Sequence, residues 1–303
     1  MIQVHVFSRT CRFKSCFPHQ KLFAQAESFF DEKRKVNQVD ILKEFIGFGG
    51  YAREAEGFMS WQHLLFVTIL NVLMAVLAFV YGLRMRGRPA QEKNRVLVTT
   101  AAAINAVELT KIILICWRSH NPMGWLNMLP LFLCSVQLIA IPLAAFSHGR
   151  LREAALDFVC IFGLLGAILG TYCAGNNYSC YPVLGLDNVA SGITHTMSGF
   201  ASLYILISGM GSLKKENVHL TFLILLGFCT AAYLVNQVNP CNYMFLTQGD
   251  GTPYDILYNL VDGNPVLYPL GVIGLFLLYI TVYYRVCFLI RSRKYRRHAA
   301  RMA

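Results

Sequence analysis

Residues 96–117 read VLVTTAAAINAVELTKIILICW. A helix crossing a bilayer needs about 20 mostly apolar residues, and this stretch reaches that length with only two charged side chains, Glu108 and Lys111. Six other stretches resemble it, at about residues 64–82, 127–146, 158–173, 189–210, 220–238 and 266–289. The one at 158–173 is short as drawn and is expected to begin in the residues before it. Composition agrees, with 55% of the 303 residues hydrophobic and 14% charged, where soluble globular chains carry about 25% charged residues. The expected fold is an all-α polytopic membrane protein. It would be a bundle of seven transmembrane helices, or six if the first is not a full crossing.

The charges give an orientation. Arg84, Arg86, Arg88, Lys93 and Arg95 lie between spans one and two, Arg150 and Arg152 between three and four, and Lys214 and Lys215 between five and six. Arg291, Arg293, Lys294, Arg296, Arg297 and Arg301 follow span seven. The alternate loops carry Arg118 against Asp187, Asp250, Asp255 and Asp262. Short cytoplasmic loops concentrate Lys and Arg, so the C-terminus is expected in the cytoplasm, with the basic tail against anionic lipid. The net charge of +11 is thus accounted for by topology. No nucleic-acid-binding motif accompanies it, and no nucleic-acid partner is expected.

The expected organisation is an N-terminal extension over 1–58, a transmembrane domain over 59–290 and a basic tail over 291–303. The extension raises a difficulty. Seven spans with the C-terminus inside put the N-terminus outside, yet residues 1–58 carry Arg9, Arg12, Lys14, Lys21, Lys33, Arg34, Lys35, Lys43 and Arg53 and no signal-peptide core. Met59 could be the natural start, the first span could be incomplete, or residues 42–58 could lie flat on the membrane. The favoured reading is an extension outside the core. A bacterial plasma membrane is the expected location.

The chain has ten cysteines, Cys11, Cys16, Cys116, Cys134, Cys160, Cys173, Cys180, Cys229, Cys241 and Cys287. No spacing with His or Cys reads as a zinc site, so neither metal nor cofactor is expected. Cys173 and Cys180 could close a short disulfide loop on the outer side or could be small apolar fillers. Both readings stand.

Chemistry is expected where polar residues meet at one depth. Cys134 lies about seven residues into span three, or ~10 Å, and His195 about six into span five, or ~9 Å. Glu108 and Lys111 reach a similar level on span two. Ionisable groups are expensive in hydrocarbon and are tolerated where they pair, line a wet cavity or react. A histidine beside a cysteine can take the thiol proton, and a carboxylate can orient the imidazole. Cys134, His195 and Glu108 are the candidate catalytic residues. Lys111, Arg118 and His120 are candidates to hold a lipid phosphate, and Gln137, Thr194, Thr196 and Ser198 to donate to an oxyanion. The plainer alternatives are that Glu108 and Lys111, three apart on a helix, neutralise each other, that Cys134 merely fills space, and that His195 bonds a neighbouring carbonyl. His63 reads as an interface residue, and Asp157 as a partner of Arg150 or Arg152. The acidic loop 250–263 reads as turn chemistry.

Three segments carry a resemblance: WLNMLPLFLC at 125–134, GITHTM at 192–197 and NYMFL at 242–246. Together, and in this order, they resemble the YwaF-like bacterial integral membrane proteins. More distantly they resemble a eukaryotic ether-phospholipid acyltransferase of the endoplasmic reticulum and the androgen-induced lipid hydrolases. The likeness runs from about residue 60 to the end of span seven. It implies that Cys134 corresponds to a proposed nucleophile and His195 to its base. Asn242 and Tyr243, in the third segment, become candidate substrate contacts. Phe132 stands where many bacterial members carry a histidine, and the hydrolases use threonine as nucleophile. Membrane phospholipids or acyl lipids are the implied partners. The expected function is a lipid acyltransferase or hydrolase; the alternatives are a transporter or solute-binding protein using the same polar cluster, and a non-catalytic scaffold. Broken spans would favour transport, and the sequence shows none clearly.

Overall fold

The computed structural model describes residues 38–302 except 212, and side chains over 40–293. The basic run from Arg9 to Lys35, Cys11 and Cys16 lie outside the described residues, as do the side chains of the tail from Lys294 onward. The described chain is helical and holds no strand. In order, the helices are α1 (Gln38–Ile46), α2 (Trp61–Met85), α3 (Ala90–Arg118), α4 (Gln137–Phe146), α5 (Gly149–Tyr172), α6 (Gly175–Cys180), α7 (Leu186–Ser208), α8 (Val218–Val238), α9 (Tyr254–Leu260) and α10 (Leu267–Met302). Helices satisfy their own backbone groups, which a lipid-facing chain requires.

Five stretches are long and apolar enough to cross a membrane: Trp61–Met85, Ala90–Arg118, Gly149–Cys180, Lys215–Val238 and Leu267–Arg293. They contain α2, α3, α5 and α8 and the greater part of α10. The chain is therefore a multi-pass membrane protein. Helix α7, with 23 residues, has the length, but Asp187, Asn188, Thr194, His195 and Thr196 leave it without a sufficiently apolar run. Helix α4 differs from the expected third span. It has 10 residues, ~15 Å of helix against a hydrocarbon core of ~30 Å, and the residues before it, 128–136, are not helical. Span four does begin early, at Gly149.

Helix α5 is the central post: 67% of its apolar window is buried, against 17–28% in the other four stretches. It meets α7 along a seam of small residues. A Cβ on Gly163 would come within 2.7 Å of the Ser198 carbonyl oxygen, and one on Gly199 within 2.6 Å of the Ala167 Cβ. The Ser202 hydroxyl donates across the seam to the Cys160 carbonyl at 2.8 Å. Small residues that let backbones approach are the usual basis of helix association in lipid.

The basic segments gather at one end. Arg152 bonds Asn94, Tyr204 donates to the Lys93 carbonyl, and Arg291 donates to the Leu213 carbonyl. At this end Asp157 is fully buried. It pairs with neither Arg150 nor Arg152; it accepts from Leu213 N–H, Asn217 Nδ2 and the Tyr284 hydroxyl, each at 2.9 Å. Those bonds tie α5, α10 and the 213–217 turn together. The opposite, acidic end is closed partly by residues 40–58. Ile46 is buried, Val183 N–H donates to Glu56 at 2.7 Å, and Tyr51 donates to Asp187 at 2.8 Å. Cys173 is an exposed free thiol and forms no bridge to Cys180.

Candidate functional site

Segment 128–136 is unwound for a local reason. Pro130 has no N–H and disfavours helical geometry in the residue before it. Leu131 N–H turns back to the Leu129 carbonyl at 2.8 Å. The Ser135 hydroxyl accepts from Phe132 N–H at 3.0 Å and lies 3.2 Å from the Phe132 carbonyl. Leu129 N–H donates to the Tyr243 hydroxyl at 3.1 Å, and that hydroxyl donates to the Leu126 carbonyl at 3.0 Å. Asn239 donates to the same carbonyl at 2.8 Å. Non-helical backbone at membrane depth persists where protein supplies its hydrogen bonds, and here two distant residues supply them. The result puts Cys134 two residues ahead of Val136, the N-cap of α4, which has no side-chain cap. The N-terminal end of a helix favours negative charge nearby.

Helix α5 brings Cys134 to His195. A Cβ on Gly166 would lie 3.5 Å from both the Cα and the Cβ of Cys134. A Cβ on Gly170 would fall inside the imidazole of His195. Residues four apart on a helix share a face, with about 5–6 Å between their Cβ positions. The thiol-bearing turn and the imidazole therefore lie on one face of α5, one turn apart. Both residues are half-buried, so each retains access while its surroundings are packed. Gln137, the first residue of α4, is fully buried, and neither its Oε1 nor its Nε2 has a partner among the described residues.

A match to a known family covers most of the chain. The family model is the TMEM164 family, over residues 58–291. The chain belongs to the TMEM164 family. No curated protein and no solved structure matches it. The family match starts at residue 58, so it leaves out α1 and Tyr51, which in this TMEM164-family chain contact the acidic end.

The other expected site residues of this TMEM164-family chain hold different posts. Glu108 forms an ion pair with Lys111 on the inward stripe Leu97, Ala101, Ile104, Glu108, Lys111 and Ile115, with side chains only 12% and 15% exposed. Its carboxylate is taken up by Lys111, which is the plainer of the two expectations. Arg118 is not open to a lipid phosphate. It grips Asp187 with both terminal nitrogens, at 2.7 and 3.1 Å, and donates to the Ile46 carbonyl at 2.8 Å. Burial and the neighbouring Asp187 charge raise the Tyr51 phenol above its usual range, so it stays a donor in this clamp. His120 is exposed on a turn with φ 49° after α3.

Thr196, Thr194 and Ser198 spend their hydroxyl protons on carbonyls of their own helix, to Gly192, Ser191 and Thr194 respectively. In this arrangement their hydroxyl protons are engaged within α7, whereas the Gln137 amide has no partner among the described residues. Asn242 and Tyr243 serve the backbone. Asn242 bonds Asp250 and accepts from Thr247 N–H at 3.0 Å. Tyr243 is fully buried, stacked edge-on against Phe132 at 5.0 Å, and bonded through its own backbone to Asn236 at 2.8 and 3.0 Å. These bonds hold Met244 and Phe245, whose φ values of 54° and 57° are left-handed and unusual for such residues. His63, in the first turn of α2, is fully buried: its Nε2 donates to the Thr171 carbonyl at 3.0 Å, its Nδ1 accepts from Met59 N–H at 3.2 Å, and its ring stacks on Tyr178. Sequence reasoning missed Gly166, Gly170 and Ser135. The Gly-x-x-x-Gly spacing in span four was the available signal.

Proposed function

We propose that this membrane protein transfers or hydrolyses an acyl group of a membrane lipid through an acyl-Cys134 intermediate, with His195 as general base. The observation that carries the proposal is the pair of glycines, Gly166 and Gly170, that seat Cys134 and His195 on one face of α5. The likeness of three sequence segments to YwaF-like proteins, to the ether-phospholipid acyltransferase and to the lipid hydrolases points the same way.

The chemistry runs as follows. His195 takes the Cys134 proton, and the thiolate attacks the lipid ester carbonyl. The tetrahedral oxyanion would be met by the Gln137 amide, whose donors are otherwise unused, and by the N-terminal end of α4. Collapse breaks the ester C–O bond, and the imidazolium returns its proton to the departing lysolipid oxygen. The thioester is then attacked by an acceptor hydroxyl or by water, with His195 again taking the proton, and the Cys134 thiol is regenerated. Glu108 has no step here, since Lys111 occupies it.

One observation favours transport instead: α4 is a half-length helix preceded by unwound backbone, a form transporters use at their substrate sites. Assay of lipid conversion in proteoliposomes separates the two readings. Acyl chemistry requires that Cys134→Ala and His195→Ala each abolish turnover while the protein remains folded, because members of a nucleophile–base unit act non-additively. Full lipid conversion by Cys134→Ala would retire the covalent mechanism and leave transport as the better reading.

A further inference from the structure

At the basic end, away from Cys134, a cleft of about 520 Å³ opens between the start of α3, the end of α4 and the start of α5. Its wall includes Asn94, Arg95, Ser147, His148 and Arg152, and no carboxylate. A smaller neighbouring cleft shares Arg95 and carries Glu92. Three features of the larger cleft ask for an anion. The Arg152 guanidinium is fixed in place: Nη2 donates to Asn94 Oδ1 at 3.0 Å and Nε to the Ala144 carbonyl at 3.3 Å. Asn94 is itself held by a 2.8 Å bond to the Ala145 carbonyl, so the Arg152 guanidinium is fixed in the cleft wall. The Ser147 hydroxyl is cut off from solvent and has no partner among the described residues.

The third feature is the start of α5. It has no side-chain cap and no acidic residue in its first turn, and its first turn carries Arg150 and Arg152 instead. Cations at the positive end of a helix are unfavourable, and unbonded first-turn N–H groups form a ready anion site. A phosphate seated between Arg152, Arg95 and the α5 N-terminus would offset the repulsion, and a turn of the Ser147 side chain would bring its orphan hydroxyl onto the same phosphate. The geometry points to a phosphate-binding site here, taking the phosphodiester of an anionic lipid headgroup or a free phosphate. The site is separate from the Cys134 chemistry and stands whether or not that reading holds.

The test uses the full-length protein purified in detergent and freed of anionic lipid. It is titrated with inorganic phosphate and, in parallel, reconstituted in nanodiscs of phosphatidylcholine with or without phosphatidylglycerol. Melting temperature and phosphatidylglycerol retained in native mass spectrometry are read. Retention or phosphate affinity should fall about ten-fold or more in R152Q and R95Q, the loss of one charge-assisted contact. The Arg95 guanidinium makes no hydrogen bond or ion pair among the described residues, its carbonyl alone accepting from the Thr99 hydroxyl, so R95Q carries the test should R152Q fold poorly. Stabilisation by phosphatidylglycerol alone identifies a lipid headgroup, and stabilisation by inorganic phosphate as well identifies phosphate from either source. Stabilisation by neither probe beyond chloride at matched ionic strength, or wild-type binding in R95Q, overturns the site.

Discussion

Gly170 and Gly166 differ in what they meet, and that difference makes a prediction. A methyl group at Gly170 would overlap the His195 ring, whereas one at Gly166 would make ordinary contact with Cys134 at 3.5 Å. Gly170→Ala should therefore push the imidazole aside, with ~1–3 kcal/mol of overpacking and near-complete loss of turnover. Gly166→Ala should keep both stability and most activity. Thermal melts and lipid-conversion assays on the two variants check this, and equal behaviour would remove the role given to Gly170. Glu108 makes a second prediction. Glu108→Gln strands Lys111 in a mostly buried site, at a cost of about 1–3 kcal/mol once partial exposure is allowed for. The double change Glu108→Gln with Lys111→Met should recover most of that loss in a melting experiment. Activity per folded molecule should be unchanged in both. The Glu108–Lys111 pairing was legible from spacing alone, because three residues on a helix bring two side chains together without help from the fold.

Among the elements, the unwound segment before α4 starts from Pro130 but relies on Tyr243 and Asn239 for its hydrogen bonds. Tyr243→Phe removes the hydroxyl that serves Leu129 N–H and the Leu126 carbonyl, and leaves Leu129 N–H without that partner in a part-buried setting. We expect a loss of about 1–3 kcal/mol and faster reaction of Cys134 with a polar thiol reagent, followed by mass spectrometry of the modified peptide. Unchanged Cys134 reactivity would show that Ser135 and Asn239 suffice. The break in span three was not legible in advance. Hydropathy reports composition, and residues 127–146 are as apolar as an intact span. Whether Pro130 ends the helix depends on whether distant groups can satisfy the freed backbone, and those groups sit more than 100 residues away, at Asn239 and Tyr243. The same blindness applies to Tyr243 and Asn242. Their motif marked them as important, but only the fold shows that they hold backbone.

For the molecule as a whole, the all-helical membrane fold and the gathering of basic loops at one end follow directly from membrane physics and could be read from the chain, whereas of the seven expected spans five are long and apolar enough to cross a membrane. The docking of residues 40–58 could not be read from the chain, because Tyr51 meets Asp187 across 136 residues of sequence. Arg118, Asp187 and Tyr51 together lock the acidic end, and Tyr51 stacks edge-on with Tyr181 at 6.1 Å. Arg118→Lys keeps the charge but loses the two-pronged grip on Asp187. It should lower the melting temperature and raise hydrogen exchange over residues 40–58, while turnover at Cys134 falls far less than in Cys134→Ala. Exchange confined to the wild-type pattern would mean that the contact is incidental.

The central claim is that Cys134 carries an acyl group with His195 as its base. The direct measurement is mass spectrometry of the purified protein after incubation with a phospholipid and rapid acid quenching, with the cysteine-containing peptides mapped. The account predicts a thioester on the peptide bearing Cys134, sensitive to hydroxylamine, and absent from His195→Ala and Gly170→Ala. Acyl label confined to exposed Cys173, or an unmodified Cys134 in protein that still converts lipid, would contradict it.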